Sequence, residues 1–176
     1  MSNFPKTRQQ IFSAIAGLLI AGSSAAIAAN TQVYSDTADA KAEIRQALAT
    51  AAREHKRVLL DFGGNWCGDC IVLHLYLQDP GNASLLQNNF VLVNVNVGRY
   101  DKNLDIAKQY NVPLEKGVPA LAILDSNGKL LYSQHNGEFQ AMRRMDVSSV
   151  SEFLTKWKPA PLNRAAVPCP TTKKDC

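Results

Sequence analysis

The stretch Val58-Leu59-Leu60-Asp61-Phe62-Gly63-Gly64-Asn65-Trp66-Cys67-Gly68-Asp69-Cys70 decides how this chain folds. Its first five residues form a short apolar run, the pattern of a buried strand. Gly63-Gly64-Asn65 breaks that run, and Trp66-Cys67-Gly68-Asp69-Cys70 opens a helix that continues to about Leu77. Two thiols two residues apart at a helix start can close a small disulfide ring. The free N–H groups and partial positive charge of that helix end stabilise a thiolate. Cys67 is then the exposed nucleophile. Cys70, one turn further on, is the resolving thiol that attacks a mixed disulfide. Two other readings stay open on the residues alone: a permanently closed structural disulfide, and half of a zinc site, although no second CxxC or paired His stands at ligand spacing.

Upstream, Asp36 to Arg57 places Ile44, Ala47, Leu48 and Ala51 at helical spacing, with Asp36 or Thr37 able to cap the first turn. Downstream, Asp79-Pro80-Gly81 reads as a turn, Asn82–Asn88 as a short helix, Phe90–Val97 as the clearest strand and Asp101–Tyr110 as a modest helix. Ala120–Leu124 and Lys129–Ser133 flank Asp125-Ser126-Asn127-Gly128 and read as a hairpin. Ser148–Trp157 is a last helix with Val150, Phe153, Leu154 and Trp157 on one face. Strands alternating with helices predict an α/β fold. The sheet is expected to be mostly parallel, with antiparallel strands added by the hairpin and helices on both faces.

The whole chain has 176 residues, 46% hydrophobic and 19% charged, with a net charge of +4. That is too apolar for a wholly disordered chain, and the scattered signs give no reason to expect a nucleic-acid partner. Lys6 and Arg8 precede an apolar run, Ile11 to Gly22, and Ala26-Ile27-Ala28-Ala29 follows. This is the layout of a secretory signal peptide, and the run is shorter than the ~20 residues that span hydrocarbon. The expected organisation is a leader at 1–29, one domain at 30–158, and a Pro-, Lys- and Thr-rich tail at 159–176 carrying two cysteines. Export would place Cys67, Cys70, Cys169 and Cys176 in an oxidising compartment, with no stable membrane insertion once the leader is removed.

With these residues in view, the chain resembles the thioredoxin superfamily, most closely its exported bacterial members. The resemblance rests on Asp61-Phe62 shortly before the first thiol, on Trp66-Cys67-Gly68-Asp69-Cys70, on Gly117-Val118-Pro119 some fifty residues later, and on the hairpin after it. It implies a thioredoxin fold, with a central mixed β-sheet flanked by helices on both faces. It also implies a periplasmic thiol–disulfide oxidoreductase acting on protein thiols and disulfides, served by a redox partner protein, monomeric and without a cofactor. Pro119 would be cis and would offer Val118 backbone groups to an extended substrate. Trp66 would shield the thiols and contact partners, with Gly68 and Asp69 completing the contact surface. Asp61 would match the family's buried carboxylate, a proton acceptor for Cys70. Where thioredoxin proper pairs that carboxylate with a lysine, this chain has Asn94. Where thioredoxin has proline, it has Asp69, whose negative charge opposes a thiolate and points to a comparatively reducing pair.

Two weaker signals remain. His74 lies four residues after Cys70, so Cys67, Cys70 and His74 could bind copper(I), and a metallochaperone is the alternative function. Cys169 and Cys176 bracket a short loop and read as a local disulfide or as a second redox pair exchanging with the first.

Overall fold

The structure, a computed structural model, describes residues 32–161. The expected leader, most of the expected tail and the pairing of Cys169 with Cys176 lie outside the described residues. Five helices and four strands follow in the order α1 (Ala40–Glu54), β1 (Arg57–Gly63), α2 (Gly68–Gln78), α3 (Pro80–Asn89), β2 (Phe90–Asn96), α4 (Leu104–Gln109), β3 (Ala120–Leu124), β4 (Leu130–Ser133) and α5 (Ser148–Trp157). Single 3₁₀ turns at Leu114–Lys116 and Met142–Arg144 complete the set. None of the described helices is long and apolar enough to cross a membrane.

The strands form one mixed sheet in the order β2-β1-β3-β4. β1 pairs parallel with β2, Asp61 opposite Asn94, and antiparallel with β3, Phe62 opposite Ala120. β3 and β4 are also antiparallel. The sheet is thus less parallel than expected. The connection from β2 to β3 holds only the six-residue α4, which advances about 9 Å, and no full-length crossover helix. The chain re-enters the sheet at the end where β2 leaves it, and β3 runs antiparallel to β1.

Strand periodicity divides the core into two layers. Val58, Leu60 and Phe62 of β1 and Ala120, Ala122 and Leu124 of β3 pack with Ile44, Ala47 and Ala51 of α1. Leu59, Leu121 and Ile123 point the other way and meet Leu73 and Leu77 of α2 and Val150 and Leu154 of α5. β1 is buried along nearly its whole length, which is why its sequence does not alternate.

Helix boundaries follow local chemistry. Asp39, rather than Asp36 or Thr37, caps α1 by accepting from the Ala42 N–H at 3.1 Å. Asp79-Pro80-Gly81 is a helix junction and not a free turn. Asp79 ends α2 and caps α3, with Pro80 in the first turn, where its missing N–H leaves no intrahelical bond unmade. α3 therefore begins two residues earlier than its sequence suggests.

Candidate active site

β1, a buried interior strand, ends at Gly63 and α2 begins at Gly68, so the intervening loop joins the end of that strand to the start of the helix. Cys67 is the N-cap of α2, and its Sγ accepts the Cys70 N–H at 3.1 Å. This is the capping geometry of a serine with sulfur in place of oxygen, and it points a donor at any thiolate formed there. Cys67 and Cys70 are joined in a disulfide, with Cα atoms 5.2 Å apart. Cys70 is fully buried and Cys67 is 6% exposed. Cys67 is thus far less exposed than its reading as an exposed nucleophile, because the loop before β3 closes over it.

That loop carries the Val118–Pro119 peptide, which is cis, and the Val118 carbonyl oxygen lies 3.4 Å from Cys67 Sγ. Pro119 is buried, and a residue the sequence reading passed over braces it from behind. Fully buried Gln134 donates to the Pro119 carbonyl at 3.3 Å and accepts the Leu121 N–H at 3.4 Å. Gly117, at φ +104°, makes the turn into the cis peptide, and a Cβ there would stand 2.7 Å from Gln140 Oε1.

Trp66 stays 43% exposed. Its indole N–H donates to the Gly98 carbonyl, its ring lies 5.7 Å from that of Tyr100, and the Arg99 guanidinium sits 5.7 Å from the ring centroid. Tyr100 and Leu104 are also exposed, and with Leu114, Glu115 and Gly117 they line a mostly apolar cleft.

Asp69 is not the isolated negative charge its sequence position suggests. Its Oδ2 accepts from Arg143 Nη2 at 2.9 Å and Nε at 3.2 Å, and its Oδ1 accepts the Arg143 backbone N–H at 2.9 Å. These bonds hold its carboxyl below the usual aspartate range. The guanidinium also lies over Gly68, 3.6 Å from where a side chain there would begin. The like-charge repulsion attributed to Asp69 is therefore largely compensated by a cation on the same edge of the site.

Asp61 is fully buried, and burial pushes its carboxyl up to about 7, a rise that the hydrogen bond from Tyr34 limits. Asn94 is its register partner on β2, as anticipated for the position of the absent lysine, but the Asn94 amide donates to the Val33 carbonyl at 3.1 Å. The partner of Asp61 is the Tyr34 hydroxyl, which donates to Oδ2 at 2.8 Å.

The copper set is not assembled. Both sulfurs are in the disulfide, and the His74 ring bonds Gln78 at 2.8 Å. Among the described residues, no group of three His, Cys, Asp or Glu side chains is placed to hold a metal ion.

A family model described as Thioredoxin-like matches residues 39–126, half of the chain, from the cap of α1 past the hairpin's first strand. This chain belongs to the thioredoxin-like family. The matched span includes the CxxC pair, Asp61 and the cis proline. Among solved structures, that of a disulphide isomerase from Xylella fastidiosa Temecula1 is similar over 73% of this chain and 98% of its own, at 36% identity and a TM-score of 0.70. A thioredoxin of Buchnera aphidicola subsp. Baizongia pistaciae (strain Bp) is 33% identical over 76 residues, which make up 43% of this chain and 62% of that protein. The chain thus matches less than two thirds of the length of this curated thioredoxin-like relative.

Tyr34, Asn65, Gln134 and Arg143 are the site residues that sequence reasoning missed. One signal was available for the first. Asn94 and Asn96 alternate on a strand that is otherwise apolar, so two amides on one face of β2 needed partners.

Proposed function

We propose that this protein is a periplasmic, monomeric thiol–disulfide oxidoreductase working on protein substrates from the reducing side. The observation that carries the reading is the CxxC disulfide capping α2 within 3.4 Å of the Val118 carbonyl beside a cis proline. In the reduced protein, the Cys67 thiolate attacks one sulfur of a substrate disulfide and the other substrate sulfur leaves as a thiolate. Cys70 then attacks Cys67 Sγ, re-forming the ring and releasing the second substrate thiol. The substrate disulfide gains two electrons and two protons, and a redox partner protein restores the dithiol.

The surroundings supply binding as well as chemistry. The exposed faces of Trp66, Tyr100 and Leu104 offer apolar contact to a visiting chain, and the Val118 backbone offers it a strand-like partner. Gly68 itself adds no side chain to this surface, and the Arg143 guanidinium lies over it.

Direction follows from how little supports a free thiolate. Strong oxidants stabilise their reduced anion. Here Cys67 keeps one backbone donor, 6% exposure and a carbonyl oxygen at 3.4 Å, to which a neutral S–H can donate. With few donors to a thiolate beyond the helix start, the disulfide is favoured over the reduced pair, the setting of a reductant. The similar Xylella protein is named a disulphide isomerase, and isomerisation also begins with a reduced thiol attacking a protein disulfide. Export rests on the basic, apolar and small-residue layout of residues 1–29.

Insulin reduction in the presence of a small thiol tests the activity. The chain without residues 1–29 should accelerate it, and Cys67→Ser should remove the acceleration. An equal rate with Cys67→Ser would overturn the reading.

A further inference from the structure

The segment Val33–Asp36, ahead of the first helix, is fastened by three asparagine side chains. The Asn65 amide donates to the Tyr34 carbonyl at 2.7 Å and its carbonyl accepts the Tyr34 N–H at 3.1 Å. Asn94 donates to the Val33 carbonyl at 3.1 Å, and Asn96 donates to the Ser35 carbonyl at 3.0 Å and to Asp36 Oδ1 at 2.9 Å. Five bonds thus grip a stretch of four residues without a strand partner, and they deliver one side chain, Tyr34, to full burial.

That side chain ends at the redox site. The Tyr34 hydroxyl donates to Asp61 Oδ2 at 2.8 Å. Gly63 has no side chain, and the space a Cβ would take is occupied by the Tyr34 hydroxyl and Cys70 Sγ. Asp61, Tyr34 and Cys70 therefore converge around one glycine. Asp61 Oδ1 and Asn94 Oδ1 are buried and have no hydrogen-bond partner among the described residues. They sit on register-paired positions, so a proton on Oδ1 would turn one of two orphan acceptors into a donor.

We propose that Tyr34 is a positioning residue for the resolving step, holding Asp61 by Oδ2 so that Oδ1 takes the Cys70 proton. The proposal rests on the oxidoreductase reading above. In the mixed disulfide, the Cys70 S–H proton passes to Asp61 Oδ1, and the sulfur's electron pair forms the bond to Cys67 Sγ. The bond from Cys67 to the substrate sulfur breaks, and that sulfur leaves with its electron pair and is protonated by solvent. Reduction by the partner protein runs the same path backwards and returns the proton to Cys70.

The electrostatic setting agrees. Across the sheet, Asp61 faces Asn94 on β2 and Leu121 on β3, neither of them charged. The titratable groups beside it are Tyr34 and, over Gly63, Cys70. Burial and the Asp61 charge push the Tyr34 phenol well above its ordinary value. It therefore stays a donor throughout, and the carboxyl rather than the phenol exchanges the proton.

The test is Tyr34→Phe, which keeps the ring and removes the hydroxyl. With Cys169→Ser and Cys176→Ser present in every protein compared, mixing the reduced form with dithionitrobenzoate releases one thionitrobenzoate when Cys67 attacks and a second when Cys70 resolves. Without the Tyr34 hydrogen bond, the pH midpoint of the second release should move alkaline by about one unit. The first release should keep its pH profile. The Asp61 carboxyl, followed by carbon NMR in the oxidised protein, should move by the same amount. With Asp61→Asn already present, Tyr34→Phe should change the second release by less than about twofold, since the hydroxyl acts through that carboxyl. An unmoved second midpoint, an unmoved carboxyl, or a further large loss on the Asp61→Asn background would overturn the role of Tyr34. Failure of the wild type to release any thionitrobenzoate through Cys67 would instead overturn the oxidoreductase reading, and the NMR titration would still judge Tyr34.

Discussion

Asp69 and Arg143 lie 74 residues apart in sequence and are joined by three hydrogen bonds, two from the guanidinium and one from the backbone N–H. Asp69 is one of the two residues between the cysteines and Arg143 lies over the other, Gly68, so the net charge of the pair acts on the thiolate at Cys67. Arg143→Ala leaves Asp69 uncompensated and should shift the equilibrium with glutathione toward the disulfide by about 3- to 10-fold, roughly 15–30 mV more reducing. Asp69→Asn should shift it the other way. Redox titration of the two variants checks the signs. A wild-type potential above about −150 mV, among the strong oxidants, would contradict the reducing assignment.

Stability should fall as pH rises through the titration of Asp61. Its folded-state value is raised, to about 7, from an unfolded value of 3.8. The folded protein therefore holds a proton that the unfolded chain releases, and ΔG of unfolding declines from about pH 4 to about pH 7 and then levels. The contribution is on the order of 4 kcal/mol. Asp61→Asn removes it, so the oxidised variant should be more stable than the wild type at pH 8, with the difference vanishing near pH 4. Denaturant unfolding at the two pH values is the measurement, and a variant that is less stable at pH 8 would contradict the burial of a titrating carboxyl.

Gly63→Ala should be poorly tolerated. Its Cβ would lie 2.9 Å from Cys70 Sγ and press on the Tyr34 hydroxyl. Overpacking of this kind costs about 1–3 kcal/mol. Because it crowds both Tyr34 and Cys70, the second thionitrobenzoate release should slow as well. Melting temperature and stopped-flow kinetics report the two effects separately.

Trp66→Ala should discriminate substrate binding from chemistry. The ring is half-exposed against Tyr100, so its loss should raise KM for a protein disulfide about tenfold, ~1.4 kcal/mol. Exchange with a small aromatic disulfide, which does not span the apolar cleft, should change much less. Equal losses with both substrates would mean that Trp66 serves the thiols and not the partner.

How far the fold was legible depends on how local its determinants are. β1, β2 and the hairpin announce themselves through apolar runs and an Asn-Gly turn, and α5 through a single apolar stripe. Their ends fall within a residue or two of the pattern. The thiol pair and the cis-proline loop are legible because each is a contiguous motif. What escaped was held together over distance. Tyr34 sits in an irregular stretch with neither helical nor strand period, and it meets Asn65 across 31 residues and Asp61 across 27. Asp69 reads as an unpaired charge because Arg143 belongs to a short 3₁₀ turn that no periodicity marks. The reversal at β3 escaped because Asp101–Tyr110 reads as a crossover helix, whereas α4 spans only Leu104–Gln109 and the chain turns back at the same end of the sheet.

Capture of a mixed disulfide tests the central claim most directly, since it asks which sulfur attacks. The reduced Cys70→Ser protein, incubated with an oxidised protein substrate and quenched in acid, should accumulate a covalent adduct. Peptide mass spectrometry should place that adduct on Cys67, with none formed by the Cys67→Ser protein. An adduct carried by Cys169 or Cys176, or one that forms equally well without Cys67, would contradict the account.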